Sequence, residues 1–173
     1  MEILVTGATG HVGANLVAHL NRAGHRPRVL LRKTSRTAAI DDLDWEAATG
    51  DVTDAASLAA AVQGVDVVYH VAAMVSFWRK RRGDLDRVNV QGTRNMIRAC
   101  LDAGVGRLVH TSSVAAVGHA PAPSAPVDET TAWNFGPYDL VYADSKHRSE
   151  QLVHEAVAQQ GLSAVVVNPA LVF

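Results

Sequence analysis

Short apolar runs alternate along this chain with longer stretches in which apolar residues recur every three or four positions. The short runs are typical of strands covered on both faces, and the longer stretches are typical of amphipathic helices. The pattern predicts strands at residues 3–6, 28–31, 44–49, 65–70, 107–112 and 163–168, and helices at residues 11–23, 55–62, 85–103 and 142–160. This alternation predicts an α/β fold, a doubly wound parallel sheet with helices on both faces.

The composition is that of an ordinary globular domain. The chain has 173 residues, of which 48% are hydrophobic, and its formal net charge of −1 gives no reason to expect a nucleic-acid partner. No apolar run approaches the ~20 residues that span a bilayer, and no secretory signal precedes the first strand. The only cysteine, Cys100, rules out an internal disulfide and lies in an apolar helical stretch typical of a core. We therefore expect a cytoplasmic protein without a nucleic-acid or membrane partner.

Three glycines with the spacing G-x-x-G-x-x-G separate the first strand from the first helix. Gly7 permits a tight turn, Gly10 lets a pyrophosphate approach the backbone, and Gly13 lets the helix pack closely on the sheet. The N-terminus of the helix offers unpaired N–H groups and a partial positive charge. The turn therefore predicts a dinucleotide site, with a purely structural turn as the alternative. Its predicted contacts are Gly7, Thr9, Gly10, His11, Val12 and Gly13.

The residues after the second strand bear on the choice of nucleotide. In a dinucleotide-binding fold, the position about 20 residues past the glycines faces the adenosine ribose, and an acidic residue there favours NAD. This chain has Arg32 at that position, followed by further basic residues that include Arg36. Because a guanidinium binds a phosphate well, NADP(H) is favoured, and NAD(H) stays possible. A solvated basic loop is the alternative.

Residues that follow the third, fourth and fifth strands predict the rest of the site. Asp51 is placed to contact an adenine amino group, and the small residues 71–73 let the backbone pass close to a cofactor. Tyr142 and Lys146 are four positions apart, which puts them on one face of a helix. A tyrosine has a reference pKa of about 10, and a nearby lysine favours its phenolate. Hydroxyl groups at 111–113 end the fifth strand at the carboxyl edge of the sheet, where ligands collect in such folds.

Seven segments together resemble one family of enzymes. They are TGATGHVG (6–13), GDVTD (50–54), VYHVAA (68–73), NVQGT (89–93), HTSSVAAVG (110–118), YADSK (142–146) and NPALVF (168–173). The chain resembles the extended short-chain dehydrogenases/reductases, the NAD-dependent epimerase/dehydratase family, and is most similar to the branch of dihydroflavonol reductases and 3β-hydroxysteroid dehydrogenases. That branch also carries an arginine at the end of the second strand. The resemblance implies a Rossmann-type fold and an NAD(P)-dependent enzyme.

The resemblance also implies roles for individual residues. Ser113 would polarise a substrate carbonyl, Tyr142 would be the acid/base, and Lys146 would activate it. Asn89 would tie a strand to the long helix. Asn168 and Pro169, with Leu171 and Val172, would pass beside the nicotinamide. Beyond the glycine turn and the two arginines, the predicted cofactor contacts are Asp51, Val52, Val71, Ala72, Ala73, Thr111, Tyr142, Lys146, Asn168, Pro169, Leu171 and Val172.

The resemblance further suggests what the chain contains and what it binds. Residues 1–173 would be the NAD(P)-binding domain with its catalytic groups, and the C-terminal lobe that binds substrate in this family would be absent. The partner would be a small alcohol or carbonyl compound, and a homodimer would form through the helices Leu85–Ala103 and Tyr142–Gln160. Two alternatives stay open, an NAD-dependent nucleotide-sugar epimerase or dehydratase and a non-catalytic dinucleotide-binding sensor or scaffold.

Four further features have more than one interpretation. The segment Phe77–Arg82 favours a solvated crossover loop over a nucleic-acid site, although its aromatic residues, like Trp133–Phe135, could line a substrate pocket. The loop Ala120–Pro126 is a candidate border of that pocket. His110 is expected to be a hydrogen-bonded core residue rather than a metal ligand, and no cluster of His, Cys and Asp residues has metal-ligand spacing.

Overall fold

The fold is a single six-stranded sheet in a computed structural model that describes residues 1–120, 126–170 and 172. The strands are β1 (Ile3–Thr6), β2 (Arg28–Leu31), β3 (Glu46–Thr49), β4 (Val67–His70), β5 (Arg107–Thr111) and β6 (Ala164–Val167). They pair in the order β3-β2-β1-β4-β5-β6, and every pair is parallel. The predicted parallel sheet is confirmed. The strand order reverses between β1 and β4, which is where such folds bind ligands.

The helices lie close to their predicted positions. They are α1 (His11–Arg22), α2 (Ala55–Ala61), α3 (Arg82–Leu85), α4 (Gly92–Ala103), α5 (Val114–Val117) and α6 (Val141–Gln160). The predicted helix at 85–103 instead begins at Arg82, and a π-helical segment, Asp86–Gln91, joins α3 to α4. Thr93 Oγ1 donates to the carbonyl of Asn89 within this segment at 2.7 Å. The hydroxyl thus satisfies a backbone group where the helical pattern changes.

Local hydrogen bonds set several of the observed boundaries. Asp54 caps α2, because its carboxylate accepts from the backbone of Ala56 and Ser57. The third strand begins two residues later than predicted. The reason is that Asn21 binds both the N–H and the carbonyl of Asp44, at 2.8 and 2.7 Å, so these groups are not free to join the sheet.

Apolar side chains cover both faces of the sheet. One cluster lies on the side of α2, α4 and α6 and includes Leu4 and Leu108, and the other lies on the side of α1 and includes Val5 and Val17. Cys100 is buried in the first cluster, and burial raises the pKa of its thiol to about 12, so it is a core residue as predicted. Among the described helices, none is long and apolar enough to cross a membrane.

Candidate active site

A cavity of about 830 Å³ opens at the carboxyl edge of the sheet, at the point where the strand order reverses. Most of the residues predicted for the site line it together. They are Gly7, Thr9, Gly10, His11, Val12, Gly13, Arg32, Asp51, Val52, Val71, Ala72, Ala73, Thr111, Ser113, Tyr142, Lys146, Pro169 and Val172. Arg36 and Asn168 do not line this cavity, and Leu171 lies outside the described residues.

The three glycines of the first turn meet different surroundings. A Cβ on Gly7, where φ is +70°, would lie 2.7 Å from Ala72 Cα, and one on Gly13 would lie 2.2 Å from Gly7 O. Both positions therefore require glycine for packing within the protein. A Cβ on Gly10 would meet only Gly7 O, at 3.3 Å, and Gly10 is exposed. The turn thus leaves a backbone surface uncovered at the start of α1.

The start of α1 suits an anion. Gly10 is its N-cap, no side chain of the described chain caps it, and its first turn contains no acidic residue. Its first backbone N–H groups are therefore available to a ligand that carries negative charge. The residues present fit the pyrophosphate of a dinucleotide.

The end of the cavity that follows β2 carries cationic side chains. Arg32 follows β2 directly, is exposed and lines the cavity. Its backbone N–H donates to Ser35 Oγ at 3.0 Å, which places Ser35, a residue not predicted for the site, beside it in the lining. Burial raises the pKa of Asp51, but hydrogen bonds from Thr53 and the charges of Arg32 and Arg87 bring that pKa below its ordinary value. Asp51 therefore stays ionised at neutral pH, close to two guanidinium groups.

Lys146 is buried at the other end of the cavity and is only 3% exposed. Its Nζ donates to the carbonyl of Thr111 at 2.7 Å. Burial lowers the pKa of Lys146 to about 8, and the charge of Glu150 opposes that shift. Tyr142 lies one helical turn earlier on α6, and the ring of Phe77 packs edge-on against it with the ring centroids 5.8 Å apart. The ammonium and the phenol therefore share one face of α6 at the cavity.

The two serines after β5 have different environments. Ser113 caps α5, and its Oγ accepts from the N–H of Ala115 at 3.2 Å, which leaves its own hydrogen free to donate. Ser112 is buried, and its Oγ has no hydrogen-bond partner within the described chain. Of the two, Ser113 has a hydroxyl that is already oriented by the backbone.

A layer of buried polar side chains adjoins this end of the cavity. Its members are Thr6, His70, Asn89, Thr93, His110, Ser112, Ser145, Lys146 and Ser149. Asn89 bridges two elements directly, because it binds both backbone groups of Met74, at 2.7 and 2.9 Å, and donates to Ser145 Oγ at 3.0 Å. The segment after β4 is thereby tied to the helix that carries Tyr142 and Lys146.

His70 forms a directed chain within this layer. Thr93 Oγ1 donates to a carbonyl, so His70 Nε2, 3.3 Å away, must donate to that hydroxyl. His70 Nδ1 then accepts from Thr6 Oγ1 at 3.0 Å, and Thr6 in turn accepts from the N–H of Ala72. Burial, with a smaller contribution from the charge of Lys146, lowers the pKa of His70 to about 3. The imidazole is therefore neutral and acts as a fixed donor and acceptor.

His110 lies beside His70, with the ring centroids 5.5 Å apart. It is buried as predicted, but the expected hydrogen bonds are absent, because neither ring nitrogen has a partner within the described residues. Burial is the main cause that holds its pKa well below the ordinary value, and the charges of Lys146 and His154 add to it. His110 is thus a neutral core residue.

The segment between β4 and α3 supplies lining residues that the sequence did not clearly predict. Met74, Val75 and Phe77 line the cavity, and Phe77 is 78% exposed, whereas Trp78 is outside the lining. The only sequence signal was the pair of aromatic residues after the fourth strand. The other lining residues that were not predicted are Leu30, Gly50, Arg81, Asp84, Arg87, Val88, Ser112 and Ala170.

Apart from Arg81, the other uncertain residues lie away from this cavity or outside the described chain. Arg79 and Arg82 of the basic segment pair with Asp139, immediately before α6. Trp133 stacks on His147, with centroids 4.3 Å apart, and lines a separate cavity of about 290 Å³. Most of the loop Ala120–Pro126 lies outside the described residues, so its suggested place beside a substrate stays a prediction.

Known proteins resemble this chain along its whole length. The model of the NAD dependent epimerase/dehydratase family matches residues 3–173. Sterol demethylase protein B of Methylococcus capsulatus is 43% identical over 99% of this chain and 52% of its own length. A putative dihydroflavonol 4-reductase of Synechocystis sp. is 42% identical over 96% of this chain and 48% of its own length. The chain thus spans about half the length of these curated relatives.

A solved structure shows the same architecture. The dTDP-glucose 4,6-dehydratase DesIV from Streptomyces venezuelae, solved with NAD bound, superimposes with a TM-score of 0.80. It is 28% identical, and the match covers 96% of this chain and 54% of that one.

Proposed function

The chain belongs to the NAD dependent epimerase/dehydratase family, as the sequence resemblance predicted, and we propose that it forms the cofactor-binding and catalytic part of an NADP(H)-dependent oxidoreductase. One observation carries this proposal. The glycine turn, Arg32 and the set of Ser113, Tyr142 and Lys146 line a single cavity of about 830 Å³. A protein that only bound a dinucleotide would need the glycine turn but not the set of Ser113, Tyr142 and Lys146.

The substrate would be a small alcohol or carbonyl compound. The similarity to a putative dihydroflavonol 4-reductase supports this class. The exposed side chains of Val75 and Phe77 at the cavity favour a substrate with an apolar surface. Because the relatives are about twice as long, we propose that residues outside these 173 complete the substrate pocket.

The chain's own residues would hold the cofactor in an extended arrangement. The N–H groups at the start of α1 would bind the pyrophosphate, Arg32 would bind a 2′-phosphate, and Lys146 would hold the nicotinamide ribose. When bound, the nicotinamide supplies or accepts the hydride.

Three side chains would handle the proton and the charge on the substrate oxygen. In the direction of reduction, Tyr142 Oη donates its proton to the carbonyl oxygen, and Ser113 Oγ donates a hydrogen bond to the same oxygen. Ser113 is free to do so because the N–H of Ala115 already occupies an acceptor position on its Oγ. The ammonium of Lys146, held by the carbonyl of Thr111, favours the phenolate that Tyr142 becomes.

The choice of nucleotide is tested by titrating the protein with NADPH and, separately, with NADH, with tryptophan fluorescence as the readout. We expect tighter binding of NADPH, because Arg32 lines the adenosine end of the cavity. Arg32→Asp should weaken NADPH binding far more than NADH binding. Lys33→Asp is the matched control. It makes the same change of charge at an exposed neighbouring residue that does not line the cavity. Equal losses for both nucleotides in Arg32→Asp would refute the assignment.

A second candidate is an NAD-dependent nucleotide-sugar epimerase or dehydratase. The similarity to a dTDP-glucose 4,6-dehydratase solved with NAD favours it. Such an enzyme would use the same Ser113, Tyr142 and Lys146 to oxidise a sugar carbon transiently. A clear preference for NADH in the titration would put this candidate first.

A further inference from the structure

The segment 111–116, which joins β5 to α5 and carries Ser113, is held by side chains that bind its carbonyl groups. Lys146 Nζ binds the first carbonyl at 2.7 Å, and His147 Nδ1 lies 3.2 Å from the last. Asn168 Nδ2 donates to the carbonyl of Ser113 itself at 3.1 Å. Two of these groups belong to α6 and the third follows β6, so the backbone of the serine is fixed from two elements.

The orientation of Asn168 depends on Glu150. Asn168 Nδ2 donates to Glu150 Oε2 at 2.8 Å as well as to the carbonyl of Ser113. A carboxylate and a carbonyl only accept, so both bonds require the NH₂ end of the amide, and the reversed amide would lose them. The side chain of Glu150 is only 13% exposed. Glu150 therefore selects the amide orientation that binds the serine backbone.

Glu150 also acts on Lys146. The two residues are four positions apart on α6 and hence share one face of the helix. Of the charged groups in the described part of the chain, Glu150 is the one that favours the ammonium form of Lys146, against the effect of burial.

We propose that Glu150 is a positioning residue for both groups. Through Asn168 it fixes the backbone of Ser113, and its carboxylate provides the negative charge that faces buried Lys146. Only the expected effect on turnover rests on the proposed function. The hydrogen bonds of Asn168 and the placement of Glu150 and Lys146 on one face of α6 are properties of the fold and are tested without any substrate.

Other titratable groups surround Glu150. They are Lys146, His147 and His154 on its own helix and Glu129 across the smaller cavity, and His110 on β5 lies near Lys146 and His154. His154 Nε2 lies 3.4 Å from Glu150 Oε1. Since all of these groups are unchanged in a Glu150 variant, a difference from the native protein isolates the carboxylate.

The effect on Lys146 is tested by an NMR titration of lysines labelled with ¹³C at Cε. Glu150→Gln removes the charge and keeps an acceptor oxygen for Asn168, so we expect the fold to persist and the pKa of Lys146 to fall. Glu155→Gln removes an exposed carboxylate from the same helix and should leave that pKa unchanged. An unchanged pKa of Lys146 in Glu150→Gln would overturn this half of the proposal.

The effect on Ser113 is tested by amide hydrogen exchange at Ala115, whose N–H is bound by Ser113 Oγ. Asn168→Ala and Glu150→Ala should speed exchange there by about fivefold to tenfold, as expected for the loss of one hydrogen bond. Glu150→Gln should not. Equal exchange in the native protein and Asn168→Ala would overturn the second half.

Turnover separates this proposal from the proposed function. In an active enzyme, Asn168→Ala should lower kcat with NADPH and leave KM for NADPH unchanged, because Asn168 does not line the cofactor cavity. In a protein that also contains the residues that complete the substrate pocket, absence of turnover with any alcohol or carbonyl substrate would contradict the proposed function, while the NMR and exchange results would still decide the role of Glu150.

Discussion

Replacing Lys146 should change how the stability of the protein depends on pH. Burial lowers the pKa of Lys146 to about 8 from an ordinary value of 10.5. Between these two values the unfolded chain binds more protons than the folded one, so the free energy of unfolding rises as the pH rises. The charged form is therefore a cost to folding at neutral pH, and that cost disappears as the pH passes above 8.

The size of this effect follows from the two pKa values. A difference of about 2.5 pKa units corresponds to roughly 3.4 kcal/mol over the full range. Between pH 7 and pH 9 the unfolded chain keeps its proton almost entirely, while the folded chain loses most of its own. Integrating the difference over that interval gives a gain of about 1.3 kcal/mol in the free energy of unfolding.

The interval from pH 7 to pH 9 lies largely below a second titration. Burial raises the pKa of Cys100 from 9.0 to about 12, so that group contributes stability below pH 9 that is lost as the pH rises further. Comparing the native protein with Lys146→Met at both pH values also cancels what Cys100 contributes, because the thiol is present in both.

The assay is urea denaturation followed by tryptophan fluorescence. The native protein should gain about 1.3 kcal/mol more than Lys146→Met between pH 7 and pH 9. Lys33→Met, which removes an exposed lysine, should behave like the native protein. An equal gain in the native protein and Lys146→Met would refute the claim that Lys146 is buried with a lowered pKa.

Three further predictions concern the cavity and the core. Gly10→Ala should keep the fold and abolish NADPH binding in a fluorescence titration. Gly13→Ala should instead lower the free energy of unfolding, measured in urea, by about 1–3 kcal/mol, because its Cβ would lie 2.2 Å from Gly7 O. This division of roles would be contradicted if both variants lost NADPH binding to the same extent and Gly13→Ala were as stable as the native protein. In a protein that includes the residues completing the substrate pocket, Tyr142→Phe should abolish turnover and leave NADPH binding intact; unchanged turnover would reject the assigned chemistry. Cys100 should react with a thiol reagent only upon unfolding, and rapid labelling of the native protein would show that the helix opens locally.

The sheet could be predicted from the sequence because its strands are short apolar runs that end in recognisable turns. The bounds of β1 and β2 were predicted to the residue, since each run stops at a glycine or a charged residue. The π-helical segment could not be predicted in this way. Within it, the side chain of Asn89 binds the backbone of Met74, and no periodicity of nearby residues reports a contact with another segment.

The cavity was predicted better than the direction of individual side chains. Asn168 and Pro169 stand together in a segment that was matched to the cofactor site. Yet Pro169 lines the cavity while the Asn168 side chain turns to Glu150 and the carbonyl of Ser113. Neighbouring residues of an extended chain point in opposite directions. A motif identifies which segment reaches a site but does not show which of its side chains faces the ligand.

One face of the sheet changes from apolar to polar over a single row of residues. On β1, β4 and β5, the apolar row is Leu4, Val68 and Leu108, and the polar row two residues further along each strand is Thr6, His70 and His110. The polar row lies where these strands approach the cavity, and it adjoins Lys146. Its members are neutral, because burial keeps both imidazoles unprotonated. A buried ammonium therefore meets fixed dipoles on the side of the sheet and a carboxylate, that of Glu150, on its own helix. Lys146 is only 3% exposed. This arrangement explains how its side chain stays mostly protonated at neutral pH, as the proposed chemistry of Tyr142 requires.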